Sequence, residues 1–367
     1  MPKKKVLILG KLPPPYMGPA IATEIILNSS LGETFDLIHL DTRINDSLDS
    51  MGRWSFRKIF RSTAVYIEMF RKIRTSRPDL VLIPFSQDTV PFLKDSIFIF
   101  IAKLFGRRVL LHLRGSNFLG WISKTGPLTR WYIKRVITST DGVIVLGDNL
   151  RYLFKNYFPS EKIFTVPNGA NYILPVADSR DDDPTIRILY LANLQASKGI
   201  EDVLMAIAEL KQEHISGFKL SVVGTWRDES FKNKCLDIVN KNMLPVEFFP
   251  SQNGQEKFRT MVSSNIFVFT PRAPEGHPWV IVEALASSLP VITTNQGAIV
   301  ESVIDGKNGF VVSANAPGEI AGKIKLLIND QALRKQMSAE SRNIYLANLT
   351  EEKMTNRLSA AFNALIA

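Results

Sequence analysis

The chain has 367 residues, 45% of them hydrophobic and 22% charged, an ordinary globular composition with apolar residues enough for about two domains. Its single cysteine, Cys235, excludes a disulfide framework and fits a reducing, cytoplasmic compartment. The formal net charge of +10 is uneven: residues 1–178 hold 25 Lys and Arg against 14 Asp and Glu, the remainder 20 against 21, so an acidic partner would meet the first half.

In chain order, MPKKKVLILG sets basic residues before an apolar run, but the run lasts five residues and gives way to KLPPP. It reads as a first strand, not as an export signal. DLIHL follows as a second strand. Between Arg53 and Arg77 stand eight basic residues and a single acid, Glu68. At helical spacing Arg53, Arg57, Arg61, Arg71 and Lys72 share a face, with Trp54, Phe56, Phe60 and Ile67 to one side. Such a face is either a solvated helix surface or a peripheral contact with anionic lipid on the cytosolic side of a membrane.

LVLIPF is the third strand. The next apolar segment, SIFIFIAKLFG, contains Lys103 and falls well short of the ~20 residues needed to cross a bilayer, so a packed helix is expected. RVLLHL carries His112, by itself either a satisfied core histidine or a site residue. GVIVLG and KIFTVPN complete the first series. Between Asn171 and Pro184 the segment NYILPVADSRDDDP has two prolines and three consecutive aspartates, the composition of a linker. Asp181, Asp182 and Asp183 read as a solvated hinge, and without a His or Cys cluster no metal site is expected.

A second series follows: IRILYLA, FKLSVVG, VEFF, NIFVFT and PVITT. Nearly all-apolar strands alternating with helical patterns mean parallel sheets covered on both faces. The fold class is therefore α/β, two Rossmann-like, doubly wound domains facing each other across a cleft, at residues 1–176 and 177–351. Ligands of such sheets bind at the carboxyl ends of the strands. No GxGxxG fingerprint is present, which disfavours NAD.

The segment NIFVFTPRAPEGHPWVIVEALASSLPVITT, residues 265–294, is the most informative. A buried strand ends near Thr270, a loop with Glu275, Gly276 and His277 follows, and Pro278 suits a first helical turn. A helix N-terminus offers unpaired N–H groups and a positive pole, suitable for phosphate. Glu283, eight residues beyond Glu275, lies further along the helix, so the two carboxylates can hold two ends of a polyhydroxylated ligand.

EGHPWVIVEALASSLPVITT resembles the Glu-x7-Glu signature of family 4 (group 1) glycosyltransferases. PPPYMGPA is similar to the family's glycine loop, RPDLVLI to its strand entry, VPNGAN to the turn closing its first domain, and LANLQASKGIEDVLMAI to its donor-phosphate strand, loop and helix. The resemblance implies a GT-B fold and retaining transfer from a nucleotide-diphosphate sugar held mainly by the second domain. It implies that Glu275 contacts the transferred sugar, Glu283 the ribose, and Lys198 the diphosphate. Gly18 would approach the same phosphates, His112 would lie beside the donor sugar, and His277, Pro278 and Trp279 would belong to the donor loop. Glu275, Lys198 and His112 are the catalytic candidates. No cofactor or metal is implied, because the nucleotide-sugar is itself a substrate.

The family's Gly-Arg is replaced by Ala192 and Asn193, removing one diphosphate cation, for which Arg272 or Arg114 are candidate substitutes. Met17 stands where a first glycine is common. A C-terminal helix, about residues 352–367, is expected to return to the first domain. The acceptor implied is a glycan or lipid-linked glycan, in cell-surface polysaccharide assembly; no nucleic acid partner is expected. Other readings of the same fold are a sugar epimerase, a phosphorylase or a non-catalytic nucleotide-sugar binding protein.

Overall fold

A computed structural model describes residues 2–14, 16–43, 56–176 and 184–366, with residues 56–60 described in backbone alone. Arg53, Trp54, Asp181, Asp182 and Asp183, and the side chains of Phe56, Arg57 and Phe60, therefore lie outside the described residues.

The chain divides into two units, residues 1–170 with 351–367, and residues 171–350. The first holds six strands: β1 Lys5–Gly10, β2 Asp36–Asp41, β3 Leu80–Phe85, β4 Arg108–Leu113, β5 Gly142–Val145 and β6 Ile163–Thr165. They form one parallel sheet in the order β2-β1-β3-β4-β5-β6. Strand interiors such as Val6, Ile8, Leu82, Leu110 and Ile144 are fully buried, as a sheet covered on both faces requires.

The helix Glu351–Ile366 completes this core. Met354, Leu358, Ala361, Phe362 and Ile366 pack with Val6, Ile8, Ile26 and Phe35, and the rings of Phe35 and Phe362 meet edge to face at 5.4 Å. Each fully buried side chain of this size contributes about 1.5–3 kcal/mol, so the last helix is a structural part of the first unit.

The second unit holds β7 Ile186–Leu191, β8 Phe218–Val223, β9 Val246–Phe249, β10 Ile266–Phe269, β11 Val291–Thr294 and β12 Gly309–Val312. Its sheet is also parallel, in the order β12-β11-β10-β7-β8-β9. The chain runs outward from β7 to β9, then crosses back to lay β10 on the other side of β7. That reversal opens a crevice at the carboxyl ends of β7 and β10.

The structure differs from the sequence expectation in three places. The boundary falls after residue 170, not after 176, because Tyr172 and Leu174 pack on the second unit's core, Tyr172 lying 4.9 Å from the Phe258 ring. The strand Gly309–Val312 was not expected; it is four residues long, opens on glycine and pairs only with β11, so its signal is weak. The apolar segment after residue 96 is packed on one side only: in the helix Thr89–Leu104, Phe98, Ile99 and Ala102 are buried while Ile97, Phe100 and Leu104 are exposed.

Candidate active site

Two loops of the second unit meet where its sheet reverses. One leaves β7 and ends in the short turn Ala196–Lys198, followed by Gly199 at φ +80° and the helix Ile200–Gln212. A Cβ on Gly199 would overlap the Thr270 carbonyl oxygen, so only glycine lets this loop lie on the end of β10. The other loop leaves β10, and the Arg272 N–H donates to the Ser197 carbonyl at 2.9 Å.

This junction brings Lys198 to Glu275, and the ammonium donates to the carboxylate in a short ion pair with both side chains largely shielded. The Glu275 backbone is held by a second close approach. Gly297, at φ +58°, sits so near that a Cβ would overlap the Glu275 carbonyl, and the Ala298 N–H donates to Gly276 at 2.8 Å. His277 is buried, its Nε2 sharing a 2.8 Å hydrogen bond with the Ser302 hydroxyl. Pro278 caps the helix Trp279–Ala286, and Trp279 is itself buried.

Glu283, in the second turn of that helix, is only 4% exposed. Its carboxylate is paired at 2.5 Å with Lys257, which comes from the helix Gly254–Val262. The Tyr172 hydroxyl is buried with no hydrogen-bond partner among the described residues. Burial first, then the Glu283 charge, holds that phenol well above its ordinary pKa, so it stays protonated. Lys257 and Tyr172 were absent from the sequence reading, since nothing in either local sequence indicates proximity to Glu283.

Arg272 grips Asp202 with two nitrogens, at 2.7 and 2.5 Å, and reaches Glu201 at 3.2 Å. The hydrogen bonds to Asp202 push the guanidinium pKa upward. These first-turn carboxylates hold the guanidinium in an ion pair, as Glu275 holds Lys198. Asn193 has a basic neighbour: its side-chain oxygen lies 3.4 Å from a nitrogen of exposed Arg227. Arg227 stands in the loop after β8, tied by its backbone N–H to the Leu194 carbonyl at 3.3 Å. The sequence reading missed it, although a basic residue shortly after a strand at this edge was the available signal.

The first unit carries a separate set. Gly18 starts the helix Gly18–Asn28 just after β1. Arg114, just after β4, donates through one terminal nitrogen to the Pro19 carbonyl and, at 3.1 Å, to the Thr23 hydroxyl, tying itself to that helix. Burial draws the Arg114 pKa down to about 10. His112 is buried on β4, and burial, then the Arg114 charge, holds its pKa well below 6.5. It is neutral at neutral pH.

Both His112 ring nitrogens, two Arg114 nitrogens and the Gln87 side-chain oxygen are buried without partners among the described residues. Buried polar atoms are normally satisfied, so these groups are positioned to hydrogen-bond water or a polar ligand. Among the described residues no group of three or more His, Cys, Asp and Glu side chains is arranged to hold a metal ion.

Residues 177–344 match the family model for glycosyl transferases group 1. An uncharacterised glycosyltransferase of Haemophilus influenzae is 27% identical over 323 residues, covering 85% of this chain and 84% of that one. The capsular polysaccharide biosynthesis glycosyltransferase CapM of Staphylococcus aureus is 25% identical over 187 residues, 48% of this chain and 46% of that one. Among solved structures, Anabaena HepE in complex with UDP-glucose superposes with a TM-score of 0.73 at 14% identity, covering 98% of this chain and 99% of that one. The protein is therefore a glycosyltransferase enzyme on the GT-B fold, and the part of it that resembles the glycosyl transferases group 1 model is residues 177–344.

Proposed function

We propose that this enzyme transfers a sugar, with retention of configuration, from a nucleotide-diphosphate sugar to a glycan or lipid-linked acceptor in cell-surface polysaccharide assembly. The observation that carries the donor reading is the Lys198–Glu275 ion pair at the reversal of the second sheet, with Glu275 eight positions before buried Glu283. A cation there meets the diphosphate, Glu275 the sugar hydroxyls and Glu283 the ribose hydroxyls. Uridine diphosphate sugars are the first donors to test, because HepE binds UDP-glucose. The capsular role of CapM supports the acceptor class.

In the reaction the glycosidic bond to the diphosphate breaks and negative charge grows on the leaving oxygen. Lys198 neutralises that charge as a point cation, aided by the positive pole of the helix Trp279–Ala286. Glu275 gives up its hold on Lys198 to the diphosphate and turns its oxygens to the sugar. In the first unit, neutral His112 offers a hydrogen bond to a polar substrate without adding charge. No metal is assigned, and no side chain is assigned as general base: the leaving phosphate takes the acceptor's proton.

The test is thermal stabilisation by UDP-, GDP- and ADP-sugars with and without magnesium, with Glu283→Gln as control. A shift from one base class, unchanged by magnesium and lost in the variant, supports the donor site. Stabilisation without product formation from any acceptor overturns the transfer reading for this chain.

A further inference from the structure

The outer helices of the first unit bear a surface that sugar transfer does not use. In the helix Thr89–Leu104, Val90, Leu93, Ile97, Phe100 and Leu104 are all exposed, from 39% at Ile97 to 76% at Leu104. At 3.6 residues per turn these five fall within an arc of about 80°, a continuous apolar stripe on the side opposite the sheet. The inward side is closed by Phe92, Ser96, Ile99 and Ala102, all buried.

The stripe has neighbours of the same kind. The helix Phe56–Ser76 flanks the helix Thr89–Leu104 through the ring pairs Tyr66–Phe98 and, just past its end, Phe70–Phe105, and the helix Pro127–Thr138 adjoins it through Phe100–Tyr132. The first exposes Ile67 and Phe70, the second Leu128 and Trp131, the last two at 77% and 62%. Contiguous apolar surface on this scale marks an interaction site.

The charge around it is one-sided. Residues 61–138 hold 14 Lys and Arg against 4 Asp and Glu. Arg71 and Arg74 share the outward side with Phe70, Lys94 adjoins Leu93, and Arg130, Lys134 and Arg135 surround Trp131; all six are exposed. Apolar side chains interleaved with Arg and Lys, with a tryptophan at the margin, are the chemistry of a surface that enters the boundary of an anionic bilayer. A second copy of the chain would bring the same positive charge against itself, so self-association through this face is disfavoured.

We propose that the outer face of the helices Phe56–Ser76, Thr89–Leu104 and Pro127–Thr138 docks the protein peripherally on anionic lipid bilayers, with Leu93, Phe100, Leu104 and Trp131 entering the interface. The contact expected from the basic run 53–77 is thereby moved to a three-helix face centred on Thr89–Leu104. Among the described residues no helix is long and apolar enough to cross a membrane. Docking does not depend on the sugar-transfer reading and is measured with no donor present.

The test is flotation of the full chain with vesicles of phosphatidylcholine alone and of phosphatidylcholine mixed with phosphatidylglycerol. Binding to the mixed vesicles alone is expected, weakening as salt rises. The triple variant F100S/L104S/W131S and the pair R74E/K134E each change outward side chains, and each is expected to weaken binding at least about tenfold with unaltered thermal unfolding. Failure of the parent chain to float with anionic vesicles overturns the proposal. So does a concentration-dependent dimer that the triple variant abolishes while vesicle binding persists.

Discussion

Lys198 and Glu275, 77 positions apart, close the reversal point of the second sheet with an ion pair. Each satisfies the other's charge, so a diphosphate bound as proposed would compete with Glu275 for the ammonium. Glu275→Gln, which releases Lys198, is expected to tighten binding of the free nucleoside diphosphate several-fold while transfer of sugar falls. Lys198→Ala is expected to weaken the diphosphate and lower kcat by about 10²–10³-fold, the usual size for loss of one group that stabilises a leaving charge. Calorimetry with the nucleotide alone and turnover with the full donor separate the two effects.

Glu283 and Lys257 form a pair in which both side chains are at least 85% shielded from solvent. Removing one partner strands the other's charge, so Lys257→Ala is expected to destabilise the second unit by about 3–5 kcal/mol. The double variant Lys257→Ala/Glu283→Gln recovers much of that loss, because no buried charge is left unpaired. Denaturant unfolding of the single and double variants measures this, and equal stability of parent and Lys257→Ala would show the pair to be solvated.

Arg227 is a cation within hydrogen-bonding reach of Asn193, which stands where the resemblance leads one to expect arginine. Arg227→Ala is expected to raise the donor KM about tenfold and to flatten its dependence on salt, while Arg227→Lys keeps part of the affinity. Unchanged KM and salt dependence in the alanine variant would remove Arg227 from the donor site.

His112 has a pKa held well below 6.5 in the folded chain by burial and by Arg114. The unfolded chain binds this proton below its ordinary pKa and the folded chain does not. Stability is therefore fully present above about 6.5 and declines by up to about 1.4 kcal/mol per pH unit below it. His112→Gln is expected to remove this part of the acid dependence, read from unfolding midpoints between neutral pH and pH 5.

Much of the fold was legible before any coordinates. Eleven of the twelve strands among the described residues announce themselves as short apolar-rich runs, because most are central strands with both faces covered, although the edge strands Asp36–Asp41 and Val246–Phe249 stay partly exposed. The loop of Glu275 and the turn before Glu283 were legible too, since a proline-led helix after a buried strand is a local pattern.

Side-chain partners were not legible in the same way. Lys257 and Tyr172 reach Glu283 from segments 26 and 111 positions away, and Arg272 looks free in sequence until Asp202 and Glu201 are seen to hold it. The basic run 53–77 signalled its charge, but the apolar stripe from Val90 to Leu104 reads in sequence as core, because periodicity cannot tell which of two apolar sides the sheet will cover.

The sequence by itself determined the alternation of strands and helices, the parallel sheets and the residue types in the loops after β7 and β10, all consequences of local periodicity and turn chemistry. The tertiary structure alone decided which charges neutralise one another, where the first unit ends, and which apolar side chains stay in water. Those outcomes depend on strand order and helix packing, which bring together residues that no local pattern connects.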